Sequence, residues 1–145
     1  MGLTSKPSFQ KIVIASDLRN IRKVERLAEK IAKSLHFSPD ERDSLAIAVT
    51  EIVGNAIVHG NKQDANKNVT IEFEYDEKSI TVIIQDEGAG FNEKQIANPL
   101  EPENLLKESG RGIFIVRALM DQVEFFPTSR GTRVKMVKRK KASAT

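Results

Sequence analysis

The chain has 145 residues, a formal net charge of +3 and no cysteine, which fits one domain with a real core and excludes disulfides and thiolate metal sites. Its 39% apolar and 30% charged content is that of a globular protein. No apolar run approaches a membrane span and no signal-peptide core opens the chain, so a cytoplasmic protein without a membrane partner is expected.

In chain order, residues 1–7 read as a loose start and 9–15 as a strand carrying Phe9, Ile12, Val13 and Ile14. Asp17 can cap a helix whose apolar positions are Leu18, Ile21, Val24, Leu27, Ala28, Ile31 and Leu35. Ser38, Pro39 and Glu41 form a capping box that starts a second helix, which should stop at Gly60. Residues 61–67 read as a loop. Residues 69–75 alternate apolar and polar positions and, after a short turn, 80–84 read as a second strand, so the two should form an antiparallel hairpin. Residues 92–109, with Pro99 and Pro102, read as a short helix and a mobile lid. An apolar helix over 112–120, buried on most sides, then leads to strands at 123–126 and 132–137.

The basic residues Lys135, Lys138, Arg139, Lys140 and Lys141 crowd the end of the chain. With no aromatic residues between them for base stacking, they read as a solvated tail rather than a nucleic-acid contact. Strands come in hairpins rather than in strict alternation with helices. The expected fold is α+β: a two-layer sandwich of about five strands in a mixed, mostly antiparallel sheet, with helices on one face. One domain should span 1–145, with loose ends at about 1–7 and 139–145.

Four stretches hold candidate chemistry. Glu51 and Asn55 are four apart in the second helix and share one edge, and His59 follows at the same step. An amide oxygen can hold a hard cation and a carboxylate can take a proton, although such a pair also describes an ordinary solvated face. Asp86 follows a strand with Gly88, Gly90 and Phe91 close behind. Glycines there let backbone approach a flat ligand, and the carboxylate can accept from an exocyclic amine; a plain turn fits the same residues. Gly110, Arg111 and Gly112 open a helix that runs on through Ile113, a place suited to phosphate or to a hinge. Gly131 and Thr132 precede the last strand.

In this order and spacing the four stretches resemble the GHKL ATP-binding superfamily, over about residues 9–137. The size and the pattern Glu51-x-x-x-Asn55-Ala56-x-x-His59-Gly60 look most like the bacterial anti-sigma-factor serine/threonine kinases. The resemblance implies ATP and Mg²⁺ as cofactors, Glu51 as general base and Asn55 as the Mg²⁺ ligand. It implies Asp86 at the adenine amino group, Gly88, Gly90 and Phe91 along that wall, and Thr132 nearby. Gly110, Gly112 and Ile113 would border the phosphates; Gly60 would line the cofactor site, and His59 is either a pocket residue or only the helix end. Lys107 and Arg111 are alternative lid cations for the γ-phosphate.

The implied function is phosphorylation of an anti-anti-sigma antagonist protein and sequestration of a sigma factor, in a homodimer, with no direct nucleic-acid contact. A non-catalytic ATP switch is a second reading, and a detached histidine-kinase catalytic domain a third. Against the third, histidine kinases usually carry an amide where Glu51 stands, and His36 and His59 are the only histidines.

Overall fold

The structure, a computed structural model, describes residues 6–88 and 112–141. In chain order these form β1 (Ser8–Ala15), α1 (Ile21–Ser34), α2 (Pro39–Asn55), β2 (Asn68–Tyr75), β3 (Ser79–Gln85), α3 (Gly112–Leu119), β4 (Gln122–Thr128) and β5 (Gly131–Arg139). The expected lid over 92–109 lies outside the described residues.

Alternation builds the sheet. Val69, Ile71 and Phe73 of β2 and Ile80, Val82 and Ile84 of β3 are all buried, while Thr70, Glu72, Thr81 and Ile83 between them are not. The strand order is β1-β2-β3-β5-β4, and every neighbouring pair is antiparallel. The sheet, expected to be mostly antiparallel, is wholly so among the described residues. The helices cover one face and complete a single core with Val24 and Ile31 of α1, Leu45, Val49 and Ile52 of α2, and Val116 of α3. The opposite face stays open, with Phe9 and Val13 at least half exposed.

Local signals set the helix starts. The Asp17 carboxylate accepts the Arg19 N–H at 2.9 Å and caps a 3₁₀ turn, Leu18–Asn20, that leads into α1. At the start of α2 the Ser38 hydroxyl accepts the Glu41 N–H at 3.1 Å, and the Glu41 carboxylate accepts the Ser38 N–H at 2.8 Å. Gly54 sits inside α2 where it passes α1; a Cβ there would meet only Ile21 Cδ1, at 3.8 Å.

Three features differ from the sequence expectations. The second helix does not run uniformly to Gly60: its last turn, Ala56–Gly60, is a π-helix, closed by the Asn61 N–H donating to Ala56 O at 2.8 Å. In α3, Phe114 and Ile115 are half exposed rather than buried. The basic end of the chain is docked as far as residue 141, not loose from 139. Arg139 belongs to β5, Lys138 Nζ donates to Leu119 O at 2.7 Å, and Lys140 Nζ donates to Leu35 O at 2.8 Å. Two ammonium groups thus satisfy carbonyls at the ends of α3 and α1, where the helix dipole favours a cation.

Candidate functional site

Asp86 follows the last residue of β3 and turns toward the helical layer. It is 6% exposed. Its backbone N–H donates to Thr132 O at 3.1 Å. The Thr132 and Gly88 N–H groups donate to its Oδ1 at 2.9 and 3.0 Å. Burial pushes the Asp86 carboxyl above the ordinary aspartate range; the Gly88 and Thr132 donors and the Lys67 charge pull it back only in part.

Three glycines surround this carboxylate, and each is needed for space. A Cβ on Gly60 would run into Asp86 Oδ2. One on Gly88 would lie 2.7 Å from Gly60 O, and one on Gly131 only 2.6 Å from Asp86 Oδ1. Gly131 also holds a φ of 141°, a conformation that favours glycine. Gly60 and Gly88 were expected near the ligand. Gly131 was visible only as a turn before the last strand, because its close approach to Asp86 is a cross-strand contact that spacing does not show.

Beside this cluster, α2 presents Glu51 and Asn55, both partly exposed. The Glu51 carboxylate lies against Gly112, the first residue of α3, so closely that a Cβ on Gly112 would overlap it. Two stretches sixty-one residues apart in sequence therefore meet. Asn55 Nδ2 is buried and has no hydrogen-bond partner among the described residues. Ile113 is 4% exposed and belongs to the core beneath this point. His59 lies within the π-turn and is exposed. Gly90, Phe91, Lys107, Gly110 and Arg111 lie outside the described residues.

Sequence reasoning missed Asn61, taken as the start of a loop. It is fully buried. Its Nδ2 donates to Ser16 Oγ at 2.8 Å and to Asn68 O at 3.0 Å, and its Oδ1 accepts the Glu87 N–H at 2.7 Å. The only signal was a polar side chain directly after the helix-stopping glycine.

The described surface also holds a concavity of about 750 Å³ on the open face of the sheet, lined in part by Glu74, Thr81, Ile83, Phe126 and Lys135. It shares no residue with the Asp86 and Glu51 clusters. It has no glycine wall, whereas the Asp86 cluster has both that and a buried carboxylate. No group of three or more His, Asp or Glu suited to a metal exists among the described residues.

The profile of the histidine kinase-like ATPase domain family matches residues 14–138. The serine-protein kinase RsbW of Bacillus subtilis (strain 168) is 35% identical over 99 residues, 64% of this chain and 62% of that protein. That of Bacillus licheniformis is 34% identical over 114 residues, 74% of this chain and 71% of that protein. That of Staphylococcus aureus (strain JH9) is 27% identical over 143 residues, 94% and 89% of the two chains. The first of these matches spans less than two thirds of its relative's length. The solved structure of the RsbU and RsbW domains of Rv1364c from Mycobacterium tuberculosis has a TM-score of 0.70 at 14% identity, over 94% of this chain and 34% of that one. A histidine kinase domain from the Erythrobacter litoralis EL346 blue-light activated histidine kinase has a TM-score of 0.53 at 16% identity, over 94% and 65% of the two chains. These two likenesses carry the fold. With the profile running from β1 into β5, the chain belongs to the histidine kinase-like ATPase domain family.

Proposed function

We propose that the chain is a single ATP-dependent protein serine/threonine kinase domain of the anti-sigma-factor type, with Mg²⁺-ATP as phosphoryl donor. The observation that carries this reading is the Glu51 carboxylate against Gly112, on the same helix edge as Asn55. The relatives named serine-protein kinase RsbW support it.

The residues present fit the nucleotide and its cation. Three glycines let the backbone close in on Asp86 and hold its carboxylate, which in this reading accepts from the adenine amine. The Nδ2 of Asn55 is buried with no hydrogen-bond partner among the described residues, and the Oδ1 of the same amide is the donor type that Mg²⁺ prefers. When bound, the cation supplies charge neutralisation for the phosphates. Glu51 accepts the proton of the incoming serine or threonine hydroxyl as the hydroxyl oxygen bonds to the γ-phosphorus and the bond from that phosphorus to the departing ADP breaks.

The phosphate acceptor in this reading is an anti-anti-sigma antagonist protein, and the alternate partner is a sigma factor. A homodimer in the cytoplasm completes it. No helix among the described residues is long and apolar enough to cross a membrane. Incubation with γ-labelled ATP and a candidate antagonist tests the proposal. Label on a serine or threonine of the antagonist is expected. ATP binding and partner binding without transfer would favour a non-catalytic switch instead.

A further inference from the structure

Asn61 lies at a junction of four segments. Its backbone N–H closes the π-turn, and its carbonyl accepts the Asp64 N–H at 3.0 Å. Its side chain spans from the end of β1, at Ser16, to the start of β2, at Asn68, and to the backbone just after Asp86. Ser16 Oγ donates onward to Lys67 O at 2.7 Å, and the Glu87 carboxylate takes the Asn68 N–H. Every polar atom of Asn61 has a partner, at 0% exposure. A fully satisfied buried network of this kind holds one arrangement, because each alternative leaves a polar group unpaired.

That arrangement bears on Asp86 from one side only. On the β5 side, Thr132 fixes Asp86 through two backbone hydrogen bonds. On the other side, the neighbouring peptide is held by Asn61 through the Glu87 N–H. Oδ1 takes both the Thr132 and the Gly88 N–H, while Oδ2 lies against Gly60, the residue just before Asn61. The side chain that clamps the Glu87 peptide and the backbone that walls Oδ2 are therefore adjacent in the chain.

We infer that Asn61 is a positioning residue that aims Asp86 Oδ2, and so sets the preference for a purine bearing a 6-amino group. The inference rests on the reading of Asp86 as the adenine acceptor. Without the Asn61 amide the Glu87 N–H loses its buried acceptor, and the Asp86 peptide is free to rotate out of register with the base. Contacts to ribose and phosphates do not pass through this clamp, so general nucleotide affinity should persist.

The test compares ATP with inosine triphosphate, which carries an oxo group in place of the amine, by calorimetry on the intact chain. Wild type is expected to prefer ATP. Asn61→Ala is expected to lose ATP affinity about tenfold, with inosine triphosphate affinity within about twofold of wild type. Should Asn61→Ala not fold, Ser16→Ala removes one anchor of the same amide and is expected to shift the ratio in the same direction by less. Equal losses for both nucleotides, or an unchanged ratio, would overturn the inference and leave Asn61 a merely structural residue. A wild type indifferent to the 6-amino group would instead overturn the Asp86 reading, and this inference with it; a parallel Asp86→Asn measurement identifies that case.

Discussion

The Glu51 carboxylate rests on the Cα of Gly112, where α3 begins. The contact joins the proposed base to the glycine-rich helix start. A methyl group at 112 would overlap Oε1 and Cδ and lie 2.7 Å from Cγ. Those atoms are the far end of a flexible side chain, so they can swing aside. Gly112→Ala should therefore leave the melting temperature close to wild type but displace the base. Phosphotransfer is expected to fall about 10²-fold or more, as for loss of a general base. Paired thermal melts and rate measurements check this. A wild-type rate would show that Glu51 need not stand where it does.

Two other glycines should respond oppositely to the same change. Gly54→Ala places a methyl at ordinary contact distance, 3.8 Å from Ile21 Cδ1, in a helix interior. It should raise stability by about 0.5–1 kcal/mol. Gly131→Ala forces an alanine to a φ of 141° and drives its Cβ into the Asp86 backbone carbonyl. It should cost about 1–3 kcal/mol or more. Urea denaturation of both variants gives the two signs directly.

Asp86→Asn should weaken ATP binding by about 1.5–3 kcal/mol, since a charge-assisted hydrogen bond is replaced by a neutral amide. Because burial raises the Asp86 carboxyl above its ordinary range, the ionised form is complete only above that raised value. Wild-type ATP affinity should then decline on acidification at higher pH than an exposed aspartate would allow, as the pH falls through the folded-state pKa. The Asn variant should lack this component in calorimetry across pH.

Glu41 tests the docked end of the chain. Burial alone would raise its carboxyl. The Lys141 and Ser38 N–H donors, the Ser38 side chain and the Lys138 charge outweigh this and hold it below its ordinary value of 4.5. A carboxylate with a lowered folded pKa adds stability above the unfolded value, and that stability is lost as the pH falls through the folded one. Glu41→Gln should thus cost about 0.5–2 kcal/mol at neutral pH, and the gap to wild type should narrow in acid, as the pH falls from the ordinary 4.5 through the lowered folded value. Denaturant melts at the two pH values measure it.

Much of this architecture was legible because it rests on local signals. The Ser38–Glu41 box, the alternation in β2 and the glycine spacings needed no tertiary knowledge. What escaped reading depends on contacts distant in sequence. Asn61 looks like a loop residue until β1, β2 and the Asp86 backbone close around it. Lys138 and Lys140 look like a solvated tail until β5 carries them past the ends of α3 and α1. The π-turn over Ala56–Gly60, closed by the Asn61 N–H on Ala56 O, is not encoded by any helical period.

The central claim is that Glu51 acts on the incoming hydroxyl rather than on ATP, and a single paired measurement on Glu51→Ala tests it most directly. ATP affinity by calorimetry should stay near wild type, because the proposed role needs no contact with the nucleotide. Phosphate transfer to the antagonist protein should fall about 10²–10⁴-fold. A variant that transfers phosphate at the wild-type rate, with ATP affinity intact, would contradict the account.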